Sequence, residues 1–469
     1  MKKVGDNSTG SKKSSFWNFI DNIEGDKVVW IIVFMLIMIS ALAIFSSTSM
    51  LTGDNKSRID MFKTHSLFIG GGLGLIWLLY KIKSIRFFRR LSQLGFMASL
   101  GLLVILDLNL NLGIVKADNI NDATRSLKLF NSVQIHVFEF VKVAMVMYLA
   151  WALDAYKTDQ EDVKNGRKSG TFKIFYKIVE WIRVKHDAPI LDKAIWKRLF
   201  YIYLPVIIIT VLCKPGSNSS MMFIGGVSLI ILWIGKMPLK ELGLIVLMGI
   251  IGLACMIGIY YISGGKYFES MRIDTLISRV TNDDNIYKLI EIEENPEQGK
   301  YSNAWYKVRN KIRQPYTATI AIRQGGLLGK GSGNSTQKYI VTHIYSDYMF
   351  SFIVEEYGLM GGILVIILFV SLLARGALIA RWCQNDFAKF AVGGLSFMIC
   401  AQAFMHIMVN VDIGVLTGQT LPLISDGRSA FIMFCIAFGI ILSISKIAKK
   451  QKLAEEAEIE REQAEKNNI

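Results

Sequence analysis

Apolar runs long enough to cross a bilayer dominate this chain and leave it few ways to fold. A spanning helix needs roughly 20 mostly apolar residues at 1.5 Å rise each. About ten such stretches recur along the sequence, centred near Met35, Gly74, Leu102, Met145, Ile207, Leu229, Ile250, Ile366, Met398 and Ala437. The second, third and sixth are shorter or more polar than the rest. Hydrophobic residues make up 52% of the chain and charged residues only 19%, a balance too apolar for ordinary globular packing. The expected fold is therefore an all-α polytopic membrane protein.

Lys and Arg near the helix ends set the expected orientation. Lys2, Lys3, Lys12, Lys13 and Lys27 precede the first stretch, and KIKSIRFFRR follows the second. A long basic segment from Lys157 to Arg198 follows the fourth, Arg375, Arg381 and Lys389 follow the eighth, and Lys446, Lys449, Lys450 and Lys452 follow the tenth. Alternate loops and both termini are thus expected on the cytoplasmic side. The parts are a cytoplasmic tail over 1–27, a membrane domain over 28–447, and a charged cytoplasmic tail over 448–469. Within the membrane domain, 155–198 forms a cytoplasmic amphipathic loop and 263–346 a large extracytoplasmic loop between the seventh and eighth helices. The net charge of +15 follows from this bias and from attraction to anionic lipid, so nucleic acid is not an expected partner. The first apolar run is long and lacks a small-residue cleavage pattern, so it is expected to stay as the first span. Cys213, Cys255, Cys383, Cys400 and Cys435 show no paired spacing, which supports neither a disulfide framework nor a cysteine metal site.

Polar residues placed at these apolar stretches carry the functional signal, because charge in a bilayer needs a partner or a purpose. The run AIRQGGLLGKGSGNSTQK leads through HIYSDYMF into the eighth stretch, setting Lys330 and Lys338 and five glycines beside Asp347, Glu355 and Glu356. Asp347 stands where an acid either caps a helix or does chemistry. Glu355 lies roughly 12 Å deeper and is either a structural ion pair or a reactive group. Glu139 and Lys142, three apart, share a helix face and can pair. Gly325, Gly326, Gly329, Gly331 and Gly333 permit an anion-binding nest with Lys330, without P-loop spacing. His406 and Asn410 read as ligands or as helix-to-helix hydrogen bonds. No His, Cys, Asp and Glu spacing fits zinc, and any metal ligand stays unassigned. Phe172, Phe175, Tyr176, Val179 and Ile182 recur at helical spacing among basic residues, as in a helix lying on the inner leaflet. AEEAEIEREQAEK carries charge on every face and is expected as a solvated helix.

Three segments resemble the SEDS family of glycan polymerases that comprises FtsW, RodA and SpoVE: GGLLGKGSGNSTQK (Gly325 to Lys338), SDYMFSFIVEEYGLMGG (Ser346 to Gly362) and TGQTLPLISDGRSAFIMFCIAFGIILSIS (Thr417 to Ser445). The likeness extends to GDKVVWIIVFMLIMISALAIFSSTS, EFVK and RIDTLISRV, and the EEYG and TGQTLPLIS wording is closer to the FtsW branch. The resemblance implies ten spanning helices with both ends inside. It further implies a peptidoglycan glycosyltransferase polymerising lipid II at the outer face of the bacterial cytoplasmic membrane, in septal wall synthesis during cell division. Asp347 falls on the family's essential aspartate, which makes it the expected catalytic base. Compensating charge for the leaving diphosphate is expected from Lys330, Arg323 or Arg125, with Lys338, Glu139, Lys142, Glu355 and Ser425 around the substrate and a divalent cation, Mg or Mn, admitted. Implied partners are lipid II, a class B penicillin-binding transpeptidase and other division-complex membrane proteins.

The sequence departs from the family pattern at Ser126, Val137, Gly216, Asp426 and Arg428, changes that leave the expected fold intact and bear on the details of substrate contact. Two other readings use the same helices: a lipid II flippase or transporter, and a non-catalytic scaffold of the division complex. A transporter calls for acidic groups through the depth of several helices, whereas here they gather at one mouth.

Overall fold

Asp26 starts the first helix by accepting the amides of Val28 (2.9 Å) and Val29 (3.1 Å) on one carboxylate oxygen. The computed structural model describes residues 24–48, 58–110, 115–120, 123–129, 133–166, 194–262, 303–340, 344–413 and 417–467. Its helices are α1 (Lys27–Ser47), α2 (Arg58–Tyr80), α3 (Ile85–Asp107), α4 (Val137–Lys164), α5 (Ala194–Arg198, a π-helical turn Leu199–Tyr203 and Leu204–Leu212), α6 (Asn218–Ile234), α7 (Leu239–Ile262), α8 (Asn303–Gly325), α9 (Met349–Trp382), α10 (Asp386–Asn410) and α11 (Arg428–Asn467). All except α8 fall on the ten apolar stretches. Eight are long and apolar enough to cross a membrane. The other two are α6, with 17 residues, and α4, whose apolar run is interrupted by Glu139, Lys142, Asp154, Lys157 and Asp159. The fourth stretch is thus a further polar one, while the second and third are, as expected, the least apolar of the eight spans, with mean hydropathy 1.2 and 1.3.

With lipid outside the bundle, helices gain little from hydrophobic association and pack through small residues and polar bonds. A β-carbon at Gly376 of α9 would strike the Ser396 side chain of α10, and one at Gly394 would press on Val146 of α4. Pro205 removes the amide that would bond the Tyr201 carbonyl, and the Tyr148 hydroxyl fills that vacancy at 2.8 Å. Tyr148 also stacks on Phe96 with ring centroids 4.0 Å apart, tying α3, α4 and α5.

Charge collects at the two ends of the bundle. At one end Arg375 of α9 binds the second oxygen of Asp26, Lys446 of α11 pairs with Glu24 at 2.6 Å, and Arg89 of α3 pairs with Asp154 of α4 at 2.9 Å. Arg198 of α5 grips Glu241 of α7, which also accepts the Tyr203 hydroxyl at 2.6 Å. Asp347, Glu355, Glu139 and Lys142 belong to the opposite end.

That end carries structure the all-helical expectation omitted. Strands β1 (Val115–Ile120), β2 (Ala123–Leu129) and β3 (Val133–His136) form an antiparallel sheet in the order β1-β2-β3. Their sequences mix charge and small polar residues too freely for an apolar alternation to announce them. The register shifts between Asp118, facing Ser126, and Asn119, facing Thr124, which leaves Arg125 as the extra residue of a bulge. The sheet joins the last helix through Ser429, whose hydroxyl accepts the His136 amide (3.1 Å) and donates to the Gln134 carbonyl (3.2 Å). Helix α8 sits in the expected large loop, and α11 runs on to Asn467 with its last turns exposed. The expected inner-leaflet helix around Phe172–Ile182 and most of the N-terminal tail lie outside the described residues.

Candidate active site

The start of α9 is capped from a neighbouring helix. Its N-cap residue, Tyr348, makes no side-chain capping bond, and the amides of Phe350 and Ser351 donate to His406 Nε2 (3.3 Å) and Asn410 Oδ1 (2.9 Å) on α10. Asn410 Nδ2 also donates to the Asp347 carbonyl at 3.2 Å. His406 and Asn410 are therefore helix-to-helix hydrogen bonds. Because His406 Nε2 accepts an amide, its Nδ1 must carry the proton it gives to the Gln419 carbonyl at 2.7 Å, and the ring is neutral.

With the cap supplied from α10, Asp347 lines a cavity of about 180 Å³ together with Gln314, Tyr348, Val409, Thr417, Gly418 and Gln419. Ser346 donates to Asp347 Oδ1 at 3.0 Å. Gly418 takes φ +57°, and a β-carbon there would stand 3.7 Å from Asp347 Oδ2, so the 417–419 turn passes directly by the carboxylate. Burial, with the Asp426 and Asp347 carboxylates close by, raises the Tyr345 phenol above its ordinary range. The Asp426 amide donates to the Tyr345 carbonyl at 2.9 Å, holding the residues before α9 against the turn that leads into α11.

Lys142 and Glu139 pair as their spacing implies, with Nζ 2.7 Å from Glu139 Oε1. The same ammonium donates to Gln402 Oε1 (2.9 Å) and Gln419 Oε1 (2.5 Å), which brings the pair to the wall of the Asp347 cavity. Gln402 Nε2 then donates to the Thr420 carbonyl at 3.1 Å.

Glu355 has a different setting. It is fully buried, and its Oε1 accepts Lys330 Nζ (2.7 Å) and the amides of Thr336 (2.9 Å) and Gln337 (3.2 Å), while Oε2 accepts the Ser335 hydroxyl at 2.5 Å. Lys330 is held further by Gln324 (2.6 Å) and Thr336 (2.7 Å). Its ammonium and the Glu355 carboxylate thus fasten the glycine-rich loop to α9. Gly358 opens α9 with φ +70° and ψ −175°. Across that opening the amides of Lys330 and Gly331 donate to the carbonyls of Glu355 and Glu356, both at 2.9 Å, and the Leu359 amide donates back to Gly326 at 2.9 Å. A β-carbon at Gly325, Gly329 or Gly358 would fall on the facing backbone. Glu356 Oε1 accepts Ser46 of α1 (2.6 Å) and the Gly333 amide (3.0 Å), and Lys338 Nζ donates to the Gly333 carbonyl at 2.7 Å. The glycines here clasp a broken helix, and the loop amides of Gly333, Thr336 and Gln337 are taken by the protein's own carboxylates, Glu356 and Glu355.

Arg323 is exposed on α8, nine residues and about two and a half turns beyond Gln314, hence on the opposite helix face. Arg125 belongs to the strand bulge. Ser425 is buried and closes its own turn, accepting the Leu421 amide at 3.0 Å. Among the described residues no three His, Cys, Asp or Glu side chains gather to hold a metal. Sequence reasoning did not single out Gln314, Thr417, Gln402 or Gln419 as site residues. Gln402, a polar amide amid the apolar ninth stretch, is the one whose position signalled it.

Fold and site define a multi-pass membrane protein with a carboxylate cavity at one end of its helical bundle. The model of the FtsW/RodA/SpoVE family, described as cell cycle protein, matches residues 26–450. The chain belongs to that family. It is 26% identical over 423 residues to the probable peptidoglycan glycosyltransferase FtsW of Coxiella burnetii, covering 89% of this chain and 95% of that protein. A protein of the same description from Geobacter metallireducens is 27% identical over 309 residues, 66% of each chain. Stage V sporulation protein E of Bacillus subtilis is 33% identical over 150 residues, 32% of this chain and 41% of that protein. Among solved structures, a chain of a peptidoglycan synthase complex reported to coordinate polymerization and crosslinking superposes with TM-score 0.58 at 18% identity, covering 90% of this chain and 97% of the other. The rod shape determining protein RodA of Thermus thermophilus gives TM-score 0.51 at 17% identity, covering 91% and 98%. These likenesses establish the shared fold.

Proposed function

We propose that this chain is a peptidoglycan glycosyltransferase that polymerises lipid II at the outer face of the bacterial cytoplasmic membrane, in septal wall synthesis. The observation that carries the reading is Asp347: it lines a cavity while His406 and Asn410 cap the helix it precedes. In the reaction the glycan hydroxyl of one lipid-linked disaccharide attacks the anomeric carbon of another. The new carbon–oxygen bond forms as the bond to the diphosphate breaks, the hydroxyl proton passes to the Asp347 carboxylate, and undecaprenyl diphosphate leaves. The relatives' descriptions support this activity, and their FtsW names support the septal role.

The leaving diphosphate needs positive charge. Of the expected cations, Lys330 and Lys338 serve the loop clasp, Lys142 serves Glu139, and Arg323 lies on the α8 face opposite Gln314, which leaves Arg125 on the strand bulge as the cation proposed for the diphosphate. The described residues do not supply a resident metal site, since Asp347 is the one carboxylate lining the cavity. A Mg or Mn ion, if one takes part, would supply compensating positive charge to the diphosphate. The Lys and Arg bias puts the Asp26 and Lys446 end inside and the Asp347 end outside, where lipid-linked disaccharide is displayed. A class B penicillin-binding transpeptidase that crosslinks the new strands, with other division-complex membrane proteins, completes the proposed setting; the superposition on a chain of a peptidoglycan synthase complex supports it.

Charge placement favours this reading over transport. No charged residue occurs in α4 between Lys142 and Asp154, or in α9 between Glu356 and Arg375. Purified protein in liposomes given labelled lipid II separates the readings. Glycan polymer is the expected product, translocation without polymer would favour a transporter, and neither would favour a scaffold.

A further inference from the structure

Lys142 is enclosed beside the Asp347 cavity, 2% exposed, yet its ammonium has nothing left to offer a ligand. Three N–H donors meet three acceptors, on Glu139, Gln402 and Gln419. An ammonium carries no acceptor, so the Gln419 amide can present only its oxygen to it. The Nε2 hydrogens of Gln419 are thereby turned away from Lys142, and no described residue takes them. The Gln419 backbone is pinned independently, because its carbonyl accepts His406 Nδ1 at 2.7 Å. Two residues before it, the Thr417 hydroxyl is buried with no hydrogen-bond partner among the described residues. Both side chains line the cavity that Asp347 lines.

The cavity therefore pairs one anionic acceptor with two neutral donor groups that lack protein partners, an arrangement that a ligand must complete. We propose that Gln419 is a substrate-binding residue for the acceptor sugar, with Lys142 acting through it as a positioning residue and Thr417 making a second contact. A sugar hydroxyl donates one hydrogen bond and accepts two. It can give its proton to Asp347 while receiving one from Gln419 Nε2, which fixes the oxygen in line for attack. A neutral ring suits this place better than the diphosphate, which would face the Asp347 charge with no unpaired cation in the lining. At about 180 Å³ the cavity is smaller than the ~300 Å³ at which pockets for drug-sized ligands begin, so it takes one ring of the lipid-linked disaccharide.

The inference rests on the glycan-polymerase reading, and its test keeps the two apart. Full-length wild type, Gln419→Glu and Gln419→His are compared for steady-state polymerisation of lipid II and for melting temperature. Glu keeps an acceptor for Lys142 but loses the donor; a neutral imidazole accepts with one nitrogen and donates with the other. The expected result is a rise of about tenfold in KM for Gln419→Glu with an unshifted melting temperature, and recovery of most of that loss in Gln419→His. Wild-type KM and kcat in Gln419→Glu would overturn the assignment while leaving the activity standing. So would equal losses in both variants with lowered melting temperatures, which would make Gln419 a structural residue only. A wild type that makes no glycan would remove the activity and this assignment together.

Discussion

At the scale of single residues, the site depends on which group satisfies which backbone amide. Asp347 sits where an acid commonly caps a helix, yet the amides of Phe350 and Ser351 are taken by His406 and Asn410. His406→Ala should expose that dependence by leaving the Phe350 amide buried without an acceptor, a cost of about 1–3 kcal/mol. A lower melting temperature with reduced polymerisation is expected; an unchanged melting temperature would show that the cap is not needed. Sequence made the polar residues of this end visible, because Asp347, Glu139, Lys142, His406 and Asn410 all interrupt or border apolar runs. Spacing also showed the Glu139–Lys142 pair, but not the partners these residues find on other helices. Glu355 and Lys330 looked equally fit for substrate contact, and only the fold shows that each is held by the other and by the 335–337 turn.

At the scale of elements, the broken helix and the glycine-rich loop act as one piece. Gly329 takes φ +81° and its missing β-carbon would lie on the Glu356 carbonyl. Gly329→Ala should cost at least about 1–2 kcal/mol from the left-handed backbone alone, with the clash adding to it. The expected outcome is a lower melting temperature with loss of activity, and a fully stable, active variant would contradict the clasp. For Glu139 and Lys142, removing one partner strands the other at the cavity wall and should cost about 3–5 kcal/mol. The double variant Glu139→Lys with Lys142→Glu should fold better than either single charge change; two well-tolerated singles would show the pair to be idle. The ten helical stretches were legible from hydropathy, since a bilayer permits little else. The sheet was not, because its short strands hold Lys116, Asp118 and Lys128 among few apolar residues, and only the pairing brings Ala117 and the buried Leu127 onto one face against the core. Nor was α8, a mostly polar helix with Pro315 inside it.

For the molecule as a whole, the account needs its two charged ends on opposite sides of a membrane. A single cysteine at Asn303, on a background without the five native cysteines, should react with an impermeant maleimide in intact cells, while one at Asn165 should react only after lysis. The reverse pattern would put Asp347 in the cytoplasm and end the proposal of an external polymerase. The central claim is that Asp347 takes the proton of the attacking hydroxyl, and its most direct measurement is polymerisation of labelled lipid II by purified wild type and Asp347→Asn, with melting temperatures taken in parallel. An amide can replace the carboxylate in space but not as a base. The account predicts polymer from the wild type, none from Asp347→Asn, and matching melting temperatures. Polymer of normal length from Asp347→Asn would contradict it.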